Sequence, residues 1–262
     1  MAEIIAKNIN VQFPVFDSHN RSLRHALVLN RLAKKISPDK ESNVGGSISL
    51  NSHDQVVISA LDDLSFTMKD GDRVGIIGHN GAGKTTLLRV LCEIYIPQSG
   101  NLTVDGAQTP MFALNDGIDP EATGFEAIRS RGIMLGLSPA VIKASINDIV
   151  EFTELGDYLD MPVRTYSTGM MVRLVFAVAT AIKPEILLMD EIIGAGDASF
   201  IEKAEVRLKT FVDSANIMVV ATHSMDIVRT WCNKAMLLHK GKIAEYGDVE
   251  KVISAYHSVM AG

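Results

Sequence analysis

The chain has 262 residues, 47% of them hydrophobic, which is enough for a sizeable core in one large or two small domains. No segment approaches the roughly 18 consecutive apolar residues of a membrane-spanning helix, and the N-terminus lacks the basic and apolar blocks of a signal peptide, so we expect a cytoplasmic protein. The formal net charge of −6 argues against nucleic acid as the main partner.

The N-terminal region predicts two strands separated by a long insertion. The first strand covers residues 4–13 and the second begins near Ser59, which leaves an insertion at 17–58 that is too long for an ordinary loop. Within it, residues 21–36 have apolar side chains at helical spacing and only basic charged residues. This basic helix is either a solvated surface face or a contact with membrane phosphates or an anionic substrate. The residues that follow, 37–54, are rich in Ser, Asn, Gly and Asp and are predicted to form a flexible surface loop.

A glycine-rich loop follows the apolar strand predicted at 73–77. Residues 78–86 fit the pattern G-x-x-x-x-G-K-[ST] at every fixed position. The glycines let consecutive backbone N–H groups converge on phosphate oxygens at the start of a helix. Lys84 is expected to contact the β- and γ-phosphates, and the Thr85 hydroxyl to bind Mg²⁺. The nucleoside triphosphate site is therefore predicted to consist of Gly78, His79, Asn80, Gly81, Ala82, Gly83, Lys84, Thr85 and Thr86.

The rest of the sequence alternates between helical and strand patterns. Residues 125–181 are mostly helical, with breaks at 138–139 and 165–169. Strands are predicted at residues 102–105, 186–189 and 217–221 and, as a hairpin, at 234–247. The continuous apolar runs among them are typical of parallel strands covered on both faces, which indicates an α/β fold.

Polar side chains follow two of these apolar strands, at the carboxyl edge of the sheet where the phosphate loop also lies. Asp190 is expected to hold Mg²⁺, and Glu191 to orient or deprotonate the attacking water. An Asp-Glu pair alone is more often a helix N-terminal charge pair, but the preceding strand and the loop favour the catalytic interpretation. His223 either makes a structural hydrogen bond or contacts the γ-phosphate and senses its presence.

Residues 166–170, Tyr-Ser-Thr-Gly-Met, precede an apolar helix. A hydroxyl and a glycine at a helix N-terminus can form an anion site, although Ser-Thr-Gly is also an ordinary capping sequence.

Taken together, these residues resemble the ATP-binding subunits of ABC transporters over nearly the whole chain. The ordered set consists of the phosphate loop 78–86, the signature segment 166–170, the Walker B run 186–191, the D-loop 194–197 and the switch His223. The resemblance implies a single ABC-type P-loop ATPase domain over residues 1–262, with ATP and Mg²⁺ as ligands. Its expected parts are a RecA-like parallel-sheet core, an antiparallel β subdomain and a helical signature subdomain at about 116–182.

The resemblance also implies a homodimer with two composite sites. In that family the signature segment of one copy covers ATP held by the phosphate loop of the other. The residues expected to contact nucleotide in this way are Ser167, Thr168, Gly169 and Asp197.

Three features resemble the exporters of O-antigen, capsular polysaccharide and teichoic acid: the N-terminal extension with Arg-Ser-Leu-Arg at 21–24, the segment 119–126, and the signature Tyr-Ser-Thr-Gly-Met. This implies an ATPase at the cytoplasmic face of the inner membrane that powers export of a lipid-linked polysaccharide through a separate integral membrane permease dimer. We expect no C-terminal carbohydrate-binding domain. The alternatives are an ATPase of another exporter, for a drug or lipid, or a soluble ABC-type ATPase that acts on nucleic acid or ribosomes.

Some positions depart from the family pattern. The glutamine of the family's Q-loop, which contacts the metal and water, is not evident in this sequence. Asn115 is the amide side chain nearest to its expected place. Phe13 is the expected stacking partner of adenine, with Phe16 as the alternative. Thr168 replaces a signature glycine.

Overall fold

A computed structural model describes residues 1–14, 47–50, 56–112, 117–190 and 198–261. The chain divides into two compact units, one formed by Met1–Gly106 with Val219–Gly262 and the other by Ala107–Met218. The basic helix predicted at 21–36 lies outside the described residues, as does most of the insertion at 17–58. The helix remains a prediction, as does the extent of a single ATPase domain. Within the insertion, residues 47–50 form a strand that pairs with residues 56–59, so the loop predicted at 37–54 was wrong at these positions.

The structure contains the following elements in chain order: β1 (Glu3–Pro14), β2 (Ser47–Leu50), β3 (Val56–Lys69), β4 (Arg73–Ile77), α1 (Lys84–Leu91), β5 (Ser99–Asp105), β6 (Gln108–Met111), α2 (Gly124–Met134), α3 (Pro139–Thr153), α4 (Thr168–Ala179), β7 (Ile186–Asp190), α5 (Ala198–Ser214), β8 (Ile217–Ala221), α6 (Met225–Trp231), β9 (Lys234–His239), β10 (Lys242–Gly247) and α7 (Val249–Ala261). Every strand predicted from the sequence is present, and the α/β class is confirmed. No helix within the described residues combines the length and the apolar character needed to cross a membrane.

The first unit contains an antiparallel sheet with the strand order β2-β3-β1-β5. Side chains along β3 alternate between buried and exposed from Leu64 to Lys69, as expected for a sheet with one face on the core. On β1 the pairing with β3 shifts between Ala6 and Ile9, where Asn8 has a φ of 51°. These strands form the antiparallel β part that the resemblance implied.

The same unit contains the strand that leads into the phosphate loop. There the strand order is β10-β9-β4-β8, and β4 runs parallel to β9. Ile77 and Leu237 on these two strands pack against Val228 of α6 and Val252 of α7, and all four side chains are fully buried or nearly so. The apolar core therefore fixes the direction in which β4 leads into the phosphate loop.

The second unit pairs β6 with β7 in parallel and packs helices α2 to α5. Phe152, Phe176 and Phe200 form an aromatic cluster in its core, with ring centroids 5.4 to 6.4 Å apart. Ser138 caps α3 and Pro139 begins it, which agrees with the predicted helix break at this point.

The second predicted helix break is longer than expected. Residues 154–167 are not α-helical, because Glu154 adopts a left-handed conformation with a φ of 56° and ends α3. Two short 3₁₀ turns, Gly156–Asp160 and Val163–Thr165, then lead to α4. The mostly helical interpretation of 125–181 was wrong for this segment.

Candidate functional site

The phosphate loop joins β4 to α1 through a backbone that requires glycine. Gly83 is the N-cap of α1 and has a φ of 108°, which side chains rarely permit. A Cβ at Gly83 would also lie 2.7 Å from the carbonyl oxygen of Ala60. Gly83 makes no side-chain cap hydrogen bond to the first turn of α1, and a helix N-terminus of this kind favours an anion.

Lys84 is buried and its ammonium lies inside the loop. Its Nζ donates to the carbonyl oxygens of Gly78, at 2.8 Å, and His79, at 3.2 Å. The curled loop thus places one positive charge among backbone dipoles at the start of a helix, while Thr85 in the same turn is exposed. These groups fit a triphosphate, which needs a cation and convergent N–H donors.

His223 lies beside this lysine, as the sequence predicted from the ends of the apolar strands. Its Nε2 is 3.4 Å from Lys84 Nζ. An ammonium only donates, so Nε2 is the acceptor in this contact. The backbone around it is fixed on both sides. The Thr222 N–H donates to the carbonyl oxygen of Ile76 at 3.2 Å, and Ser224 Oγ caps α6.

The turn between β9 and β10 supports the loop, which the sequence analysis did not foresee. The Gly241 N–H donates to the carbonyl oxygen of Ala82 at 3.1 Å, and its own carbonyl oxygen accepts from the Asp62 N–H at 2.8 Å. The ring of His239 also lies edge-on to that of His79, with centroids 5.3 Å apart. The only signal in the sequence was the Lys-Gly pair that closes the hairpin.

Phe13, the residue expected to stack on adenine, is half-buried near the end of β1. Its ring makes an edge-to-face contact with Tyr95 at a centroid distance of 5.3 Å. Tyr95 in turn accepts a hydrogen bond of 2.8 Å from Arg89 of α1, so the phosphate-loop helix and the aromatic pair are linked. Sequence reasoning missed Tyr95, although an aromatic residue shortly after the phosphate-loop helix was a usable signal.

Two groups of predicted residues belong to the second unit. Asp190 is the half-buried last residue of β7 and follows four buried apolar residues, as predicted. Ser167 caps α4, and its Oγ accepts from the Met170 N–H at 3.2 Å. The ordinary capping role of this segment is therefore confirmed. Ser167 and Thr168 are exposed, and the anion site predicted at this helix N-terminus, with Gly169, remains a prediction.

Other predicted positions lie outside the described residues. These are Glu191, Asp197, Asn115 and the alternative adenine contact Phe16. Their roles remain predictions.

The family model described as ABC transporter matches residues 61–194. The chain is 43% identical to the O-antigen export system ATP-binding protein RfbE of Yersinia enterocolitica, over 94% of this chain and 98% of that protein. It is 39% identical to the O-antigen export protein RfbB of Myxococcus xanthus over 80% of this chain. It is also 35% identical to the teichoic acids export protein TagH of Bacillus anthracis over 75% of this chain. The chain spans 48% and 36% of the length of these last two relatives.

Solved structures show the same fold. An ATP-binding subunit of an ABC transporter matches with a TM-score of 0.65 at 17% identity, over 97% of this chain and 93% of that chain. A dimeric ATP-binding cassette in a post-hydrolysis state, bound to ADP and Pi, matches with a TM-score of 0.63 at 18% identity, over 94% of this chain and 98% of that chain.

Proposed function

The chain belongs to the ABC transporter family, and on this basis we propose that it is an ATPase subunit that powers export of a lipid-linked polysaccharide. The substrate class is supported by relatives in O-antigen and teichoic acid export, one of which matches nearly end to end. The export would proceed through a separate integral membrane permease dimer, with this subunit at the cytoplasmic face of the inner membrane.

The observation that carries the ATPase role is the contact between Lys84 and His223. In this arrangement the phosphate-loop cation and the proposed γ-phosphate sensor share one hydrogen bond. Triphosphate oxygens compete for the Lys84 ammonium, and its departure frees Nε2 of His223. The imidazole can then carry its proton on Nε2 and donate to the γ-phosphate. His223 would thereby distinguish ATP from ADP.

Mg²⁺ would neutralise phosphate charge during hydrolysis. The Thr85 hydroxyl and the Asp190 carboxylate offer the hard oxygen ligands that this ion prefers, and Asn115 is the proposed third contact. We assign Glu191 to the attacking water, which it would orient and deprotonate. Phe13 would stack on adenine.

We further propose that two copies of the chain close head to tail on ATP. Ser167, Thr168, Gly169 and Asp197 of one copy would then cover the phosphate loop of the other. The exposure of Ser167 and Thr168 supports this proposal, because a segment that contacts a second copy must be accessible in the single chain.

A first experiment separates nucleotide binding from turnover. Lys84→Ala removes the buried ammonium and is expected to weaken ATP binding itself. Glu191→Gln keeps binding but should abolish hydrolysis and trap an ATP-bound dimer. Equilibrium binding of a fluorescent ATP analogue and steady-state phosphate release measure the two effects. Normal hydrolysis by Glu191→Gln would contradict its role, and unchanged affinity in Lys84→Ala would contradict the phosphate site.

A second experiment addresses the transported substrate. The gene is deleted, and the strain is complemented with wild type or with the Glu191→Gln variant as a matched inactive control. We expect surface polysaccharide to disappear and lipid-linked polymer to accumulate inside the cell, with recovery only by wild type. Intact surface glycan without internal accumulation would exclude this substrate class and leave a drug or lipid exporter, or a soluble ATPase, as the alternative.

A further inference from the structure

The segment that leads into the signature residues is docked on the beginning of α2. The Val163 N–H donates to the carbonyl oxygen of Ala122 at 2.8 Å, and the Arg164 N–H donates to that of Pro120 at 2.9 Å. An isolated β-bridge joins Thr123 to Pro162. The backbone before the signature residues is therefore fixed by the segment 119–126, one of the features that resembles the polysaccharide exporters.

Tyr166 is the last residue of this docked segment, and its side chain is seated over Gly124. Its hydroxyl donates to the carbonyl oxygen of Tyr158 at 2.7 Å. A Cβ at Gly124 would collide with the Tyr166 hydroxyl and would lie 2.9 Å from Cα of Leu159. The φ of Gly124 is not in the left-handed region, so glycine is needed here for space.

The first turn of α2, which contains Gly124 and lies against Tyr166, is fixed by a capping box. The Thr123 N–H donates to Glu126 Oε2 at 2.8 Å, and Thr123 Oγ1 accepts from the Glu126 N–H at 3.3 Å. Reciprocal bonds of this kind fix the direction of the first helical turn. Tyr166 therefore rests on a surface with little freedom to move.

We propose that Tyr166 is a positioning residue that sets the direction of the adjacent signature residues through its seat on Gly124. Ser167 follows Tyr166 directly and is the N-cap of α4, so a rotation of the Tyr166 backbone changes the direction of the Ser167 hydroxyl and of the first turn of that helix. This role rests on the proposed function, because the signature residues act only when a second copy closes on ATP.

The test uses the full chain with Glu191→Gln as the parent, so that ATP is bound but not consumed. Tyr166→Phe removes only the hydroxyl. We expect it to raise the ATP concentration needed for half-maximal dimerisation about fivefold to tenfold, the cost of one net hydrogen bond. Binding of the ATP analogue to the monomer should stay unchanged. A general loss of folding would weaken both dimerisation and binding of the ATP analogue. Weaker dimerisation with unchanged binding therefore indicates a positioning role.

A matched control is available in the acceptor of the same hydrogen bond. Tyr158 contributes its carbonyl oxygen, and the residue is 53% exposed, so Tyr158→Phe removes a hydroxyl and keeps the acceptor. It should dimerise like the parent. Equal ATP dependence of Tyr166→Phe and Tyr158→Phe would overturn the proposal while leaving the proposed function intact. Failure of the parent itself to dimerise with ATP would overturn both.

The substitution Gly124→Ala tests the contact between Tyr166 and Gly124. In the Tyr166 protein the added methyl meets the hydroxyl, whereas in Tyr166→Phe that contact is gone. The contact with Leu159 is common to both backgrounds and cancels in a double-mutant cycle. We expect Gly124→Ala to weaken dimerisation less in the Tyr166→Phe background. Strictly additive losses would show that the two residues do not act together and would overturn the proposal.

Discussion

Arg207 of α5 connects three helices of the second unit, and its replacement by methionine gives a quantitative test of the packing described above. Its guanidinium makes a bidentate pair with Asp148 of α3, at 3.1 and 2.6 Å. The Nε donates to Thr180 Oγ1, beyond the end of α4, at 2.7 Å. The guanidinium carbon also lies 4.3 Å from the ring centroid of Phe152. Methionine keeps the aliphatic stem and loses every one of these interactions.

The expected loss of stability depends on whether each partner of Arg207 regains hydrogen bonds once the guanidinium is removed. Asp148 has a side chain that is 57% exposed and can regain water, so the salt bridge contributes at most about 1 kcal/mol. Thr180 keeps its own hydrogen bond to the Phe176 carbonyl oxygen. The cation–π contact adds about 0.5 to 1 kcal/mol and the bond to Thr180 a similar amount. The total is about 2 kcal/mol, which corresponds to a fall of about 4 to 8 °C in Tm.

Thermal and urea unfolding followed by far-ultraviolet circular dichroism measure this change. Lys203→Met is the matched control on the same helix. Lys203 pairs with Glu154 at 2.7 Å, donates to the carbonyl oxygens of Glu151 and Phe152 at 3.3 Å, and lies 5.1 Å from the ring centroid of Phe152. Its side chain is 38% exposed, against 16% for Arg207, so water replaces more of these interactions and this variant should lose less, about 1 kcal/mol. If Arg207→Met were as stable as Lys203→Met, the conclusion that Arg207 contributes more to stability than Lys203 would be wrong.

Other consequences are testable in the same way. Hydrogen bonds from the Thr123 backbone and side chain lower the pKa of Glu126, so its stabilising effect is present above the unfolded-state value of about 4.5 and is lost as pH falls through the lower folded-state pKa. The Tm of Glu126→Gln should therefore lie below that of wild type at neutral pH, and a gap that does not narrow on acidification would contradict the capping box. Phe13→Ala should weaken ATP binding about tenfold or more through lost stacking, with smaller effect on inorganic triphosphate; equal losses for the two ligands would exclude a base contact. Gly83→Ala should impair binding of both ligands, because its Cβ meets the Ala60 carbonyl oxygen and strains the loop. Titration with both ligands measures this effect, and unaltered affinity would contradict it.

Much of the fold followed from hydrophobic pattern alone. The runs at 186–189 and 217–221 are strands because a parallel strand covered on both faces must be apolar throughout. The pattern failed at 154–167, where apolar residues continue at a helical density. There the backbone leaves the helix through the left-handed Glu154, and such local turn geometry has only a weak signal in side-chain hydrophobicity.

The candidate site divides in a similar manner. The loop and the polar residues at strand ends were predictable, because the order of parallel strands brings His223 to the edge where Lys84 lies. The contacts of Phe13 with Tyr95 and of Ala82 with Gly241 were not predicted, since the hydrophobic pattern does not specify which residues far apart in sequence meet. Neither pair contains a residue type whose chemistry demands that partner.

The two predicted nucleotide-binding segments differ in how strictly their backbone requires glycine. Gly83 has a φ of 108° and has backbone within 3 Å of any added Cβ, so the loop itself requires glycine. Thr168, where a glycine is usual, is the first residue of α4 and has an exposed side chain in ordinary helical backbone. Threonine therefore destabilises the fold little at this position, and its effect is expected on the nucleotide-bound second copy that contacts this surface. A Thr168→Gly protein should accordingly keep its stability to within about 1 kcal/mol and change only in ATP-dependent dimerisation, whereas a loss of stability larger than this would show that Thr168 supports the fold itself.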